Sequence, residues 1–187
     1  MKPLRLPFLL LLVASCDRAP AGESAHAASP SASQADESTR GRPPQGDPLD
    51  AELDRVAAVH GAPGPWAVAG YRMGRYALGK LGLERGTFDV EVTHRSPREV
   101  MFSCIADGAA AATGVSAGKL NLSLVEAPES ELATTYRQKS TGRAVTVRPT
   151  SSFRARYLNT PREKARELGR EVLTLPSEQV FEEIGGK

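Results

Sequence analysis

The sequence has little cysteine, few aromatic side chains and almost no net charge. Two cysteines, Cys16 and Cys104, stand far apart, so disulfides cannot be the main support of the fold. Aromatic residues make up 5% of the chain, which leaves a core built on Val, Leu and Ala. A net charge of +2, with 25% of residues charged, gives no strong electrostatic pull toward nucleic acid, and none is expected as a partner. The apolar run from Phe8 to Ala14 is too short to span a bilayer as a mature helix.

That run does fit an address. Lys2 and Arg5 precede it, and together they read as an export signal. It ends in Leu12-Val13-Ala14-Ser15-Cys16, which resembles the lipobox of bacterial lipoproteins. The resemblance implies cleavage before Cys16, lipidation of its sulfur, and anchoring to a membrane on the periplasmic or outer-surface side of the envelope, since several acyl chains hold a protein stably. A plain secretory signal cut near Ala14 is the alternative. Residues 17–46 are rich in Ala, Ser, Pro and Gly without apolar periodicity, so they read as a flexible linker, with no role for His26. Residues 47–187 are expected to form one domain. A lipidated Cys16 cannot pair with Cys104, which leaves the domain a lone thiol.

The domain opens with Asp47-Pro48, a capping side chain followed by proline at the first helical position. Leu49, Leu53, Val56 and His60 recur at helical spacing, and Gly61 and Pro63 stop the helix with His60 on its apolar face. A second helix follows, striped by Trp66, Ala69, Gly70, Met73, Ala77 and Leu81; Gly70 and Gly74, one turn apart, predict a close backbone neighbour. Residues 87–94 alternate as a half-buried strand with Phe88, Val90, Val92 and His94 inward.

Residues 100–122 form the centre of the chain. Their first part, 100–106, is apolar on both sides and suggests a buried strand carrying Cys104; Asp107 would then cap a short alanine-rich helix closed by Gly114. Residues 120–126 read as a strand, and residues 133–139 and 144–148 as a hairpin around Ser140-Thr141-Gly142. Thr160-Pro161-Arg162-Glu163 suggests a capping box, and residues 177–184 a closing helix. The arginines and lysine between 154 and 170 read as a solvated face, with anionic headgroups as the alternative. The fold class expected is α+β, with a mixed or antiparallel sheet packed against helices.

Several short motifs agree with one family. His60-Gly61, Gly64-Pro65, Gly70-Tyr71-Arg72-Met73-Gly74, Ser103-Cys104-Ile105-Ala106-Asp107-Gly108, Ala112-Thr113-Gly114 and Gly118-Lys119-Leu120-Asn121 together resemble the FmdE-type domain of formylmethanofuran dehydrogenase over about residues 47–147. The resemblance implies an α+β fold, a homodimer, and a transition metal held by histidine and cysteine. Residue by residue it carries over His60, Cys104 and Asp107 as metal ligands, to which the strand reading adds His94; Arg72, Thr113 and Lys119, inside the motifs, are the expected ligand-binding residues. Zinc or nickel is the expected metal, since both accept thiolate and imidazole. The chain departs from the family pattern at Ala62 and Gly64, where the fuller motif has a second histidine and a cysteine, and at Val115, where it has another cysteine.

Other chemistry fits less well. The segment from Gly114 to Lys119 has three residues between its glycines and Leu120 after the lysine, unlike a P-loop. Cys104 with a histidine oriented by Asp107 would make a nucleophile pair, and a triad on Ser103 is weaker. The sequence therefore points to an exported, lipid-anchored domain that binds a divalent transition metal or small ligand. The alternatives are a metal- or thiol-dependent enzyme, or a structural dimer with a vestigial site.

Overall fold

The computed structural model describes residues 47–185. The expected signal, lipobox and linker lie outside them. Among the described residues no helix is long and apolar enough to cross a membrane.

In chain order the elements are α1 (Pro48–His60), α2 (Pro65–Leu81), β1 (Val90–Ser96), α3 (Val100–Thr113), β2 (Leu122–Glu126), β3 (Ala133–Gln138), β4 (Ala144–Pro149), α4 (Ser151–Tyr157), α5 (Ala165–Thr174), α6 (Ser177–Val180) and β5 (Phe181–Ile184). The strands form one sheet in the order β2-β1-β3-β4-β5. β1 and β2 are parallel, joined through α3, and every other pair is antiparallel. This is the α+β mixed sheet that the sequence predicts.

α2 and α3 lie on the sheet; α1 lies against α2, α3 and α5, and α5 against α1 and α2. The α2–α3 contact is very close because of glycine. A Cβ on Gly70 would stand 2.1 Å from the Ile105 carbonyl oxygen, and one on Gly108 would stand 1.8 Å from that of Ala67. No real side chain tolerates such distances, so the two backbones touch where only hydrogen fits. Gly74 meets the Cβ of Ala112, as its spacing from Gly70 predicts.

The largest correction is to residues 100–106, which begin α3 rather than form a strand. A short apolar run does not by itself distinguish a buried strand from a buried helix. Here the following alanines and Gly108 carry the run on for four turns, and Phe102, Ile105, Ala106 and Ala109 are buried along it. A helix buried on most of its faces needs apolar residues around most of its circumference, and α3 has them, with Ser103 and Asp107 among the polar exceptions. Asp107 is therefore a mid-helix residue and caps nothing; Gly114, in the left-handed region at φ 78°, does close the helix.

Smaller corrections have local causes. β1 begins at Val90, and Phe88 is 65% exposed outside the sheet. Thr160 donates to the Tyr157 carbonyl instead of capping, and a 3-10 turn, Arg162–Lys164, leads into α5. Residues 177–184 split into the short α6 and the edge strand β5, which pairs with β4. The helix α4, capped by Thr150 through the Phe153 amide, has no counterpart among the expected elements. The expected arginine face is solvated and also ion-paired: Arg166 reaches Asp50 and Asp54, and Arg170 reaches Asp47 and Asp50, which ties α5 to α1.

Candidate functional site

Asp47 caps α1 through the Leu49 amide, Pro48 occupies its first turn, and Gly61 closes it with φ 87°. That places His60 in the last helical turn, where α1 crosses α3. On α3, Cys104 and Asp107 are three residues apart and so share a face. Asp107 accepts a hydrogen bond from His60 Nδ1 at 2.8 Å. With Nδ1 committed as donor, Nε2 is the ring nitrogen left for a ligand. Cys104 lies beside the ring, and its thiol donates to the Val100 carbonyl at 2.9 Å. The neighbouring Cys104, and then Asp107, hold the imidazolium form of His60 to a pKa of about 9, against the opposing effect of burial, so a metal at Nε2 competes with a proton there.

His60 and Cys104 open onto a cavity of about 690 Å³. Its floor is the α1–α2 turn with Trp66, and its far wall is the segment from Tyr157 to Arg162 with Ala165. Trp66 is fixed edge-on to Phe102 and Phe153, with ring centroids 5.3 and 5.2 Å away, and its indole N–H donates to the Tyr157 carbonyl at 2.9 Å. The cavity is thus formed by the two ends of the domain meeting.

Three of the four expected metal ligands come together: His60, Cys104 and Asp107. His94 does not join them. It points inward from β1, as its strand position predicts, and is 0% exposed. Its Nε2 donates to the Phe102 carbonyl at 3.1 Å, so its Nδ1 accepts from the Thr134 hydroxyl at 2.9 Å. Both nitrogens are taken, and burial lowers its pKa to about 4, so the ring is neutral with no lone pair free for a metal. Among the described residues no group of three or more His, Cys, Asp or Glu side chains is placed to hold one ion.

The three expected ligand-binding residues make their hydrogen bonds within the fold. Arg72 donates to the carbonyls of Val172 and Leu175 and to Ser177 Oγ, which satisfies the end of α5. Thr113 is buried, with its hydroxyl donating to the Ala109 carbonyl. Lys119 donates to the Gly114 carbonyl and lies over the Phe88 ring. None of the three lines the cavity. Trp66, Tyr157 and Arg162 do, and sequence reasoning missed them as site residues. The single tryptophan directly after the Gly64-Pro65 break was the available signal.

The profile of the family described as "FmdE, Molybdenum formylmethanofuran dehydrogenase operon" matches residues 59–182. The chain belongs to the FmdE family. Comparison with curated proteins gives no match. The FmdE match begins one residue before His60 and runs into β5, so it takes in both the Cys104 helix and the distant wall that closes the cavity. Ala62 and Gly64, where the fuller FmdE motif implies two more donors, both line the cavity. Small side chains there leave open volume instead of ligating atoms.

Proposed function

We propose that the domain binds a divalent transition metal or a small ligand at the His60/Cys104 site. The observation that carries this reading is the Asp107–His60 hydrogen bond, which leaves Nε2 as the other ring nitrogen of a histidine that lines the same open cavity as Cys104. A carboxylate on the remote nitrogen of a ligating histidine fixes the tautomer and strengthens the donor. The donor set fits a metal with two protein ligands, Nε2 of His60 and Sγ of Cys104, and Asp107 behind. Soft thiolate and borderline imidazole favour zinc or nickel. Such an ion would supply Lewis acidity or a holding point for a chelating ligand. The protein's part is to fix the imidazole, present the thiolate and flank the ion with Trp66 and Leu158, which line the same cavity. We also propose export, with a lipid anchor at Cys16 facing the periplasm or the outer surface, and assembly as a homodimer.

The cobalt-loaded protein should show thiolate-to-metal charge-transfer absorption that is lost in Cys104→Ser and weakened in His60→Ala. In Asp107→Asn, metal affinity should fall about 10- to 100-fold. A cobalt spectrum that is the same in wild type and Cys104→Ser would overturn the metal reading. The anchor is tested by Cys16→Ser, which should move the protein out of the membrane fraction or leave it unprocessed; unchanged membrane attachment at the normal mature mass would refute it.

A second reading is favoured by the same geometry. Carboxylate, imidazole and thiol stand in the order of a nucleophilic triad. Metal-free protein inactivated by iodoacetamide at Cys104, with the rate falling in both His60→Ala and Asp107→Asn, would favour a thiol enzyme over a metal site.

A further inference from the structure

The cavity carries charge of one sign. Arg162 is the one permanently charged side chain in its wall, and no Asp or Glu lines it. The arginines around it are all occupied: Arg154 by Glu129, Arg156 by Glu171, and Arg166 and Arg170 by the acidic face of α1. Arg162 has no carboxylate partner among the described residues, although it stands within this same run of ion pairs. A guanidinium left unpaired at the edge of a hollow presents a planar fork of donors, and a carboxylate matches that fork with two parallel hydrogen bonds.

Much of the remaining wall is apolar: Pro65, Trp66, Met101 and Leu158 line it, with Leu158 46% exposed, beside the polar His60, Asn159 and Thr160. A hollow of about 690 Å³ is in the size range of small-molecule sites. A bare anion would satisfy Arg162 and leave this surface wet. A neutral apolar molecule would cover the surface and leave the exposed guanidinium to water alone.

We propose that the cavity takes a small organic carboxylate with an apolar body, the carboxylate on Arg162 and the hydrocarbon against Trp66 and Leu158. This rests on the reading of the cavity as a ligand site. It goes further by naming the class of ligand and the residue that selects it, and it does not require a metal on His60 and Cys104.

Trp66 is the only tryptophan in the chain, so its emission reports the cavity directly. The chelator-treated full chain is titrated with octanoate, octanamide and inorganic phosphate. Octanoate should change Trp66 emission saturably and bind about tenfold or more tightly than octanamide, because the amide lacks the charge-assisted bonds. Phosphate should leave the emission unchanged. Arg162→Gln should bring octanoate down to the octanamide level, Arg162→Lys should restore part of the difference, and Lys164→Gln should behave as wild type. Equal binding of octanoate and octanamide overturns the proposal, as does octanoate affinity that survives Arg162→Gln, or no saturable change with either. Phosphate binding as tight as octanoate would reduce the site to a simple anion site and overturn the apolar part. The thermal transition of each variant, followed by circular dichroism, separates loss of binding from loss of fold. Octanoate selectivity without a cobalt charge-transfer band would remove the metal reading and leave this one intact; the reverse pattern would do the opposite.

Discussion

The two histidines on either side of α3 are opposites. His94 faces the inner side of the helix, fully buried, with both ring nitrogens satisfied and the ring kept neutral. His60 meets the outer side, its side chain 23% exposed, with one nitrogen held by Asp107 and the other left beside a thiol. The inner side of α3 is closed: glycine contact with α2, alanines and a satisfied imidazole leave nothing for a ligand. The outer side keeps its polar groups at the edge of a cavity. One helix therefore separates a histidine with both ring nitrogens satisfied from one that opens onto a cavity, and position on the helix decides which is which.

The inner side should be the more easily broken. Gly108→Ala forces a Cβ into backbone atoms of α2, which cannot yield as a flexible side chain would. We expect a loss of about 3 kcal/mol or more, at the upper end of overpacking effects, read as a lowered denaturation midpoint. Gly74→Leu, which meets side-chain carbons first, should cost about 1–3 kcal/mol. An unchanged midpoint in Gly108→Ala would mean that α2 and α3 are not in backbone contact, and one in Gly74→Leu that this face of α2 is not packed.

His94→Leu tests the inner histidine and should cost about 1–3 kcal/mol by leaving the buried Thr134 hydroxyl without its partner. It should also alter the acid side of the stability curve. The folded pKa of about 4 is below the ordinary 6.5, so the unfolded chain takes up the proton first. The stabilisation held by neutral His94 is complete above about pH 6.5 and is lost as the pH falls toward 4. His60 has the opposite sign. Its folded pKa of about 9 means that its contribution is complete below about pH 6.5 and is lost as the pH rises through 9. Denaturation midpoints of chelator-treated protein across that range should lose the acid limb in His94→Leu and flatten on the alkaline side in His60→Ala. If both variants keep the wild-type profile, the contrast between the rings is wrong.

The smallest effect on stability belongs to the outer side. Cys104→Ser should change folding stability by no more than about 0.5 kcal/mol, because the thiol is partly exposed and a hydroxyl can make the same bond to the Val100 carbonyl. A loss above about 2 kcal/mol would make Cys104 a core residue and shrink the difference between the two sides.

Much of this was legible in the chain. Proline and glycine punctuate α1 and α2 clearly, so His60 could be placed in a last turn, and the Gly70/Gly74 spacing pointed to backbone contact. The Val90–Val92–His94 alternation correctly put His94 inside. The inference that an inward histidine would join the site failed, because the strand and helix directions that send His94 to Thr134 and Phe102 depend on tertiary placement. The strand reading of residues 100–106 failed because alternation and helical periodicity look alike when every position is apolar. Yet Cys104 and Asp107 still ended on one face, through helical spacing instead of a strand leading into a cap. The wall carrying Tyr157 and Arg162 was illegible: nothing local in residues 157–165 says that they will face Trp66.

That distance in sequence sets an order of events. Trp66 and the Tyr157 carbonyl are 91 residues apart, Arg72 and the Val172 carbonyl 100, and Arg166 and Asp54 112. Contacts that close such long loops form late, after local helices and hairpins have done so. A chain still missing its last segment can assemble α3 and present its thiol, but it has no wall to cover it. The wall is therefore the part of the site whose contacts carry the largest loop-closure cost, and it is the first part that a truncated or locally opened chain would lose.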